Sequence, residues 1–206
     1  MWPFRKKESD IWEQVAKLMA DTIDAVMEQT VSLYTGDDAL AERATESKVM
    51  DISLESAIFL AFSLDMVLFR KRQDIRKSIM LSVYRVISTA YDMENIEGGE
   101  GVPIEEIVDD RMSRYGMIAR GVWKPVGYWW FGKAPNQDAL TQSLLLFGDY
   151  ITYYRECKKI PLGDDIEPVI LVNPLDCEAL AVPFIVFRHL APVVKQYVDQ
   201  LEKIVR

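Results

Sequence analysis

One histidine in 206 residues removes a large part of ordinary enzyme chemistry from consideration. A His-based triad or a zinc hydrolase needs imidazole placed beside other ligands or a nucleophile. A di-iron carboxylate bundle needs Glu-x-x-His on two helices, and here Val186 stands where the glutamate before His189 would be. His189 itself lies in an apolar stretch broken only by Arg188, and reads as a core or helix-surface residue. The two cysteines, Cys157 and Cys177, have no further Cys or His at metal-ligand spacing. They are expected to be reduced structural thiols in a cytoplasmic protein. No glycine-rich phosphate loop occurs, since Gly98-Gly99-Glu100-Gly101 lacks the Lys-Ser/Thr continuation.

Excess positive charge is also missing: 24 basic residues stand against 32 acidic ones, a net charge of −8. A phosphate backbone is bound through clustered Lys and Arg, so no nucleic-acid partner is expected. The basic group Arg70, Lys71, Arg72, Arg76 and Lys77 lacks interleaved aromatics and reads as a solvated helix end. No signal-peptide core follows the opening residues, where Trp2, Phe4 and the basic Arg5, Lys6 and Lys7 run into Glu8 and Asp10. Membrane contact by that segment needs a second anchoring signal, so a membrane partner is not expected.

What the chain does have is a long apolar run over 52–69, interrupted only by serines, Glu55 and Asp65. Its length barely reaches that of a membrane span, and two acids argue for a helix buried in a soluble protein. A helix apolar nearly all round must be surrounded by other helices, and a carboxylate within it needs a partner. Asp65 draws the attention, with Arg111, Arg114 or the nearby Arg70 as expected partners.

Helical periodicity recurs along most of the chain. A first helix runs from Ser9 or Asp10 to Gly36, with Trp12, Val15, Met19, Ile23, Val26 and Leu33 inward. A second segment starts at Asp37 and Asp38, polar at first and apolar from Val49, and ends at the basic residues 70–72. A third spans 74–93, with Ile75, Ile79, Val83, Val86, Ile87 and Ala90 inward. Residues 94–101 form a loop, and Pro103 suits the first turn of a fourth helix through Arg120. A fifth is expected over 136–159, with Leu144 and Phe147 among its inward residues. Residues 168–174 are β-branched and Pro-bounded, suggesting a lone strand; from Leu175 the chain is helical, with Pro183 and Pro192 each kinking or dividing it. The expectation is a single all-α domain over 1–206, an orthogonal or irregular bundle of about six helices with Pro-kinked C-terminal helices.

Three groups of residues could carry function. Asp65, Arg111, Arg114 and Tyr115 could form a buried polar cluster or the base of a small-ligand pocket. Trp123, Tyr128, Trp129 and Trp130, interleaved with Gly and Pro, could pack over the bundle end, line a pocket or form a partner-binding patch. Glu105, Glu106, Asp109 and Asp110 place carboxylate pairs at i, i+4 spacing, which could hold Mg²⁺ if a second acidic helix faced them. All-helical nucleotide pyrophosphohydrolases are built on that idea, although acidic residues also suit a solvated helix start.

The order Phe59-Leu60, Leu64-Asp65 and Phe69, followed by Arg111 and Arg114-Tyr115-Gly116, resembles a pattern in uncharacterised bacterial all-helical proteins. Met66 stands where those proteins commonly carry a basic residue. The resemblance implies a helical fold and a polar cluster at Asp65, Arg111, Arg114 and Tyr115, and no activity. The functional expectation is a cytoplasmic interaction or regulatory protein, self-associating or bound to a protein partner, without catalysis or cofactor. The alternatives are a Mg²⁺-dependent hydrolase of phosphorylated small molecules and a small-ligand-binding protein.

Overall fold

The computed structural model describes residues 7–35, 46–91, 103–120, 143–144, 146–147 and 177–206. Among these it contains five named helices and no strand: α1 (Glu8–Thr35), α2 (Glu46–Lys71), α3 (Gln73–Ala90), α4 (Ile104–Ala119) and α5 (Cys177–Ile204). Of the helix expected over 136–159, Ser143, Leu144, Leu146 and Phe147 are described, and all four are helical and buried. The expected loop over 94–101, the strand over 168–174 and the aromatic residues Trp123, Tyr128, Trp129 and Trp130 lie outside the described residues.

The apolar run becomes the middle of the bundle. Helix α2 packs against each of the other four helices, while α1 also touches α3 and α5. From Ile52 to Leu64 every residue of α2 except the half-buried Ser53 is buried, so the helix has no water-facing side along that stretch. It is the one described helix long and apolar enough to cross a membrane, and most of it lies inside the protein. Its serines cost little there, because Ser56 donates to the Ile52 carbonyl at 2.6 Å and Ser63 to that of Phe59 at 3.0 Å. A buried hydroxyl satisfied within its own helix leaves no donor stranded.

The surrounding helices show one-sided patterns. On α1, Ile11, Val15, Met19 and Val26 are buried, and on α5 Leu190, Val194, Tyr197 and Leu201 are. Both sets recur at steps of three, four or seven residues, as a helix packed on one face requires. Helix α5 passes through Pro183 and Pro192 without dividing. Pro192 is exposed, so the hydrogen bond it cannot donate is missing on a side reached by water. On α3, Ile75, Ile79, Val83 and Ile87 face inward as expected, but Val86 is 54% exposed and Ala90 is exposed too. Periodicity puts both on the correct stripe; the last turns of α3 are simply not covered on that side.

An aromatic seam joins α2 to its neighbours. Phe59 stacks on Phe147 at 4.7 Å between centroids and meets the edge of Tyr115 at 5.3 Å, while Phe62 lies 5.1 Å from Tyr115. Such pairs add to the burial of their area. On the α5 side, the buried Tyr197 hydroxyl donates to the Leu60 carbonyl at 3.2 Å.

Two outcomes follow for stability. Phe59→Ala removes the centre of the seam and is expected to cost about 3–5 kcal/mol by denaturant titration, whereas Val86→Ala should stay within about 0.5 kcal/mol. Burial pushes the Tyr197 phenol well above its ordinary value, so the folded state keeps a proton that the unfolded chain loses above about pH 10. Stability should therefore fall as pH rises past that point, by up to about 1.4 kcal/mol per pH unit for this one group. In Tyr197→Phe that slope should be shallower.

Candidate functional site

Two clusters of charge flank α2, one buried and one beside an open groove. In the buried cluster Glu55, fully inaccessible on α2, accepts hydrogen bonds from Arg111 Nε of α4 at 2.9 and 3.2 Å. Arg111 Nη1 donates to Asp110 Oδ2 at 2.7 Å, and Asp110 also accepts from Arg114 Nε at 3.0 and 3.1 Å. The order Glu55, Arg111, Asp110, Arg114 alternates in sign, so each charge lies against an opposite one. Glu55, Phe59 and Phe62 occupy one stripe of α2, facing Arg111 and Tyr115 of α4. The charged contact and the aromatic seam therefore form one interface.

The expected cluster of Asp65 with Arg111, Arg114 and Tyr115 is divided by this arrangement. Arg111 and Arg114 do come together, and Tyr115 packs beside them, but the α2 carboxylate opposite Arg111 is Glu55 rather than Asp65. Asp65 lies more than two turns further along α2 and pairs with Arg76 of α3, at 2.6 and 2.7 Å through two parallel hydrogen bonds. The physical reason is the corner between α2 and α3. Arg72 alone separates the two helices, with its nitrogen bonded to the Leu68 carbonyl and its guanidinium held by Asp74 at 2.9–3.2 Å. So short a connection brings the end of α2 against the start of α3 and sets Arg76 opposite Asp65.

The second cluster lines an open groove of about 590 Å³ along this corner, formed by Asp65 and Phe69 of α2 with Gln73, Arg76, Lys77, Met80, Leu81 and Tyr84 of α3. Arg76 is the hinge of its polar wall: bound to Asp65, its guanidinium also sits over the Phe69 ring at 5.2 Å from the centroid. Donating to Asp65 raises the Arg76 pKa further above its ordinary value, so this residue stays cationic. Tyr84 is raised first by burial and then by the carboxylates of Asp65 and Asp109, which keeps its phenol protonated. Phe69 and Leu81, both in the lining of this concavity, are 54% and 48% exposed.

The remaining expected residues fall as follows. Glu105, Glu106 and Asp109 are exposed, and Asp110 is turned to the two arginines. Among the described residues no group of three or more His, Cys, Asp or Glu is placed to hold a metal ion. Arg114 and Tyr115 do not line the groove, so the expected ligand pocket keeps only Asp65 of its base. The basic group around the corner splits: Arg70, Lys71 and Lys77 are solvated as expected, whereas Arg72 is buried and Arg76 is paired. His189 is exposed on α5.

Sequence reasoning missed Glu55 and Arg76. Glu55 had a signal, since it stands one and two turns before Phe59 and Phe62 on the most apolar stripe of the run. Arg76 had a weaker one, its near-symmetrical placement with Asp65 about the basic corner. Comparison with protein-family models, with curated proteins and with solved structures finds no match to this chain.

The two acids of α2 should behave differently when neutralised. Removing one partner of a buried pair costs about 3–5 kcal/mol, while replacing both by apolar residues restores much of it. Denaturant titrations of Glu55→Gln and of Glu55→Leu with Arg111→Met test this. Asp65→Asn, at a pair open to solvent, should cost no more than about 1 kcal/mol, and less in high salt.

Proposed function

We propose that this chain is a soluble, cytoplasmic interaction protein that acts by holding another protein chain in the α2–α3 groove, with no catalysis of its own. The observation that carries this reading is the pair Phe69 and Leu81, two of the three large apolar residues exposed among those described, which both line one groove. A folded chain gains by burying such side chains, and their exposure in a concavity is characteristic of recognition surfaces. Arg76 supports it further, because by clamping Asp65 and covering the Phe69 ring it fixes the wall before anything binds. A wall held in place loses less freedom on association.

Among the described residues the methionines leave little exposed surface, although Met80 lies at the base of the groove. Met19 and Met80 are buried, and Met27, Met66 and Met112 pack against the core. Association is therefore assigned to Phe69 and Leu81, not to a methionine surface.

Replacing Phe69 and Leu81 together by serine should leave the melting temperature nearly unchanged, since both are half exposed. Native mass spectrometry of the full chain and of this double variant, each purified gently from its own host, checks the reading. A protein partner or second copy present on the wild type and missing from the variant is the expected result. Identical species on both, or a retained metabolite in place of any chain, would end it.

A further inference from the structure

The charges around the groove are not balanced as those of the whole chain are. Within it, Asp65 is neutralised by Arg76, and at the corner Asp74 is neutralised by Arg72. What is left is Lys77 in the groove lining, with Arg85 one helical turn beyond Leu81 on α3 and Arg70 next after Phe69 in the sequence, all exposed. Lys77 and Arg85 make no ion pair among the described residues. On a chain of net charge −8, Lys77 and Arg85 flank the exposed Leu81 on α3 as cations at one turn before and one turn after it. The Tyr84 phenol in the lining is pushed up first by burial and then by the carboxylates of Asp65 and Asp109.

The shape narrows the occupant. From Gln73 to Tyr84 the groove follows α3 for about 17 Å at 1.5 Å per residue, the length of three turns of a second helix. It is concave, and a flat anionic membrane would not fill it. A second copy of this chain offers poor material among the described helices, because the apolar stripes of α1, α4 and α5 are already turned into the core. The exposed acids Glu105, Glu106 and Asp109 of α4 come without an accompanying exposed apolar stripe.

We infer that the groove receives an acidic amphipathic helix of a partner protein. Its apolar stripe lies between Phe69, Met80 and Leu81, and its Glu or Asp side chains meet Arg70, Lys77 and Arg85. This inference rests on the interaction reading above and adds the chemistry of the partner to it. Recognition then follows the helix-in-groove mode, in which apolar residues spaced at i, i+4 and i+7 anchor the segment. The charges select the partner and speed its approach.

The test uses the full chain and three synthetic helical peptides of about fifteen residues. They share one leucine stripe and differ only in flanking residues, which are Glu, Gln or Lys. Fluorescence anisotropy is expected to show the Glu peptide binding at least tenfold more tightly than the Lys peptide, with affinity falling as salt is raised. Lys77→Glu with Arg85→Glu should reverse that order, and circular dichroism should show both proteins equally folded. Equal binding of all three peptides, abolished by Leu81→Asp, would overturn the acidic partner while leaving the interaction reading intact. Binding of no peptide, with Leu81→Asp altering no assembly state of the protein, would overturn both. Dimerisation that excludes the peptides, or binding to anionic phospholipid vesicles in their place, would assign the groove to a second copy or to a membrane and end the proposal.

Discussion

The removal of α2 from water on all sides is the constraint from which the rest of the bundle follows. A single sheath of partners cannot be made by one helix, so α1, α3, α4 and α5 each cover part of it. Every fully buried residue of α2 contributes to the drive, at about 25 cal/mol per Å² of apolar surface removed from water. The same burial dictates where polar groups stand. The serines turn to their own helix, the Tyr197 hydroxyl finds the Leu60 carbonyl, and Glu55 is held by Arg111.

Glu55 and Asp65 sit on one helix and have opposite consequences. Glu55 is wholly enclosed, and its contact with Arg111 belongs to the same interface as the Phe59–Tyr115 and Phe62–Tyr115 ring contacts. A buried ion pair adds little net stability compared with apolar packing, but breaking it is costly. Its consequence is registry, since α4 can slide or rotate on α2 only by leaving a carboxylate alone in the core. Asp65 is partly open to water, and its bond to Arg76 fixes how α3 leaves the corner. The first pair sets the position of a helix inside the protein, and the second sets the shape of a surface.

That surface is where chemistry is left over. Inside the bundle, apolar and charged groups are matched, whereas along the corner Phe69 and Leu81 remain uncovered and Lys77 has no described carboxylate. The proposed function by association draws on this distribution. Of the four carboxylates that would bind Mg²⁺, Asp110 is already held by two arginines, and the other three project from an exposed helix start. An acidic first turn is itself favoured by the helix dipole, so those residues have a sufficient structural reason for being there.

By itself the sequence determined the class of the fold, the buried run at its centre, the break at residues 70–72 and the start of α4 at Pro103. Each of these rests on local information: hydrophobic period, a charge cluster, a proline at a first turn. It also marked Arg111 and Arg114 as partners for an acid of the apolar run, and the resemblance added Tyr115 to them. Which carboxylate would meet them was decided only by tertiary structure. Glu55 and Asp65 are equally plausible from their neighbours, and the choice depends on how far along α2 the helix α4 crosses. The pairing of Asp65 with Arg76 likewise required the one-residue corner, and the exposure of Val86 required knowing where coverage of α3 stops. Periodicity reports the direction in which a side chain points around its own helix, but not whether another helix is there to receive it.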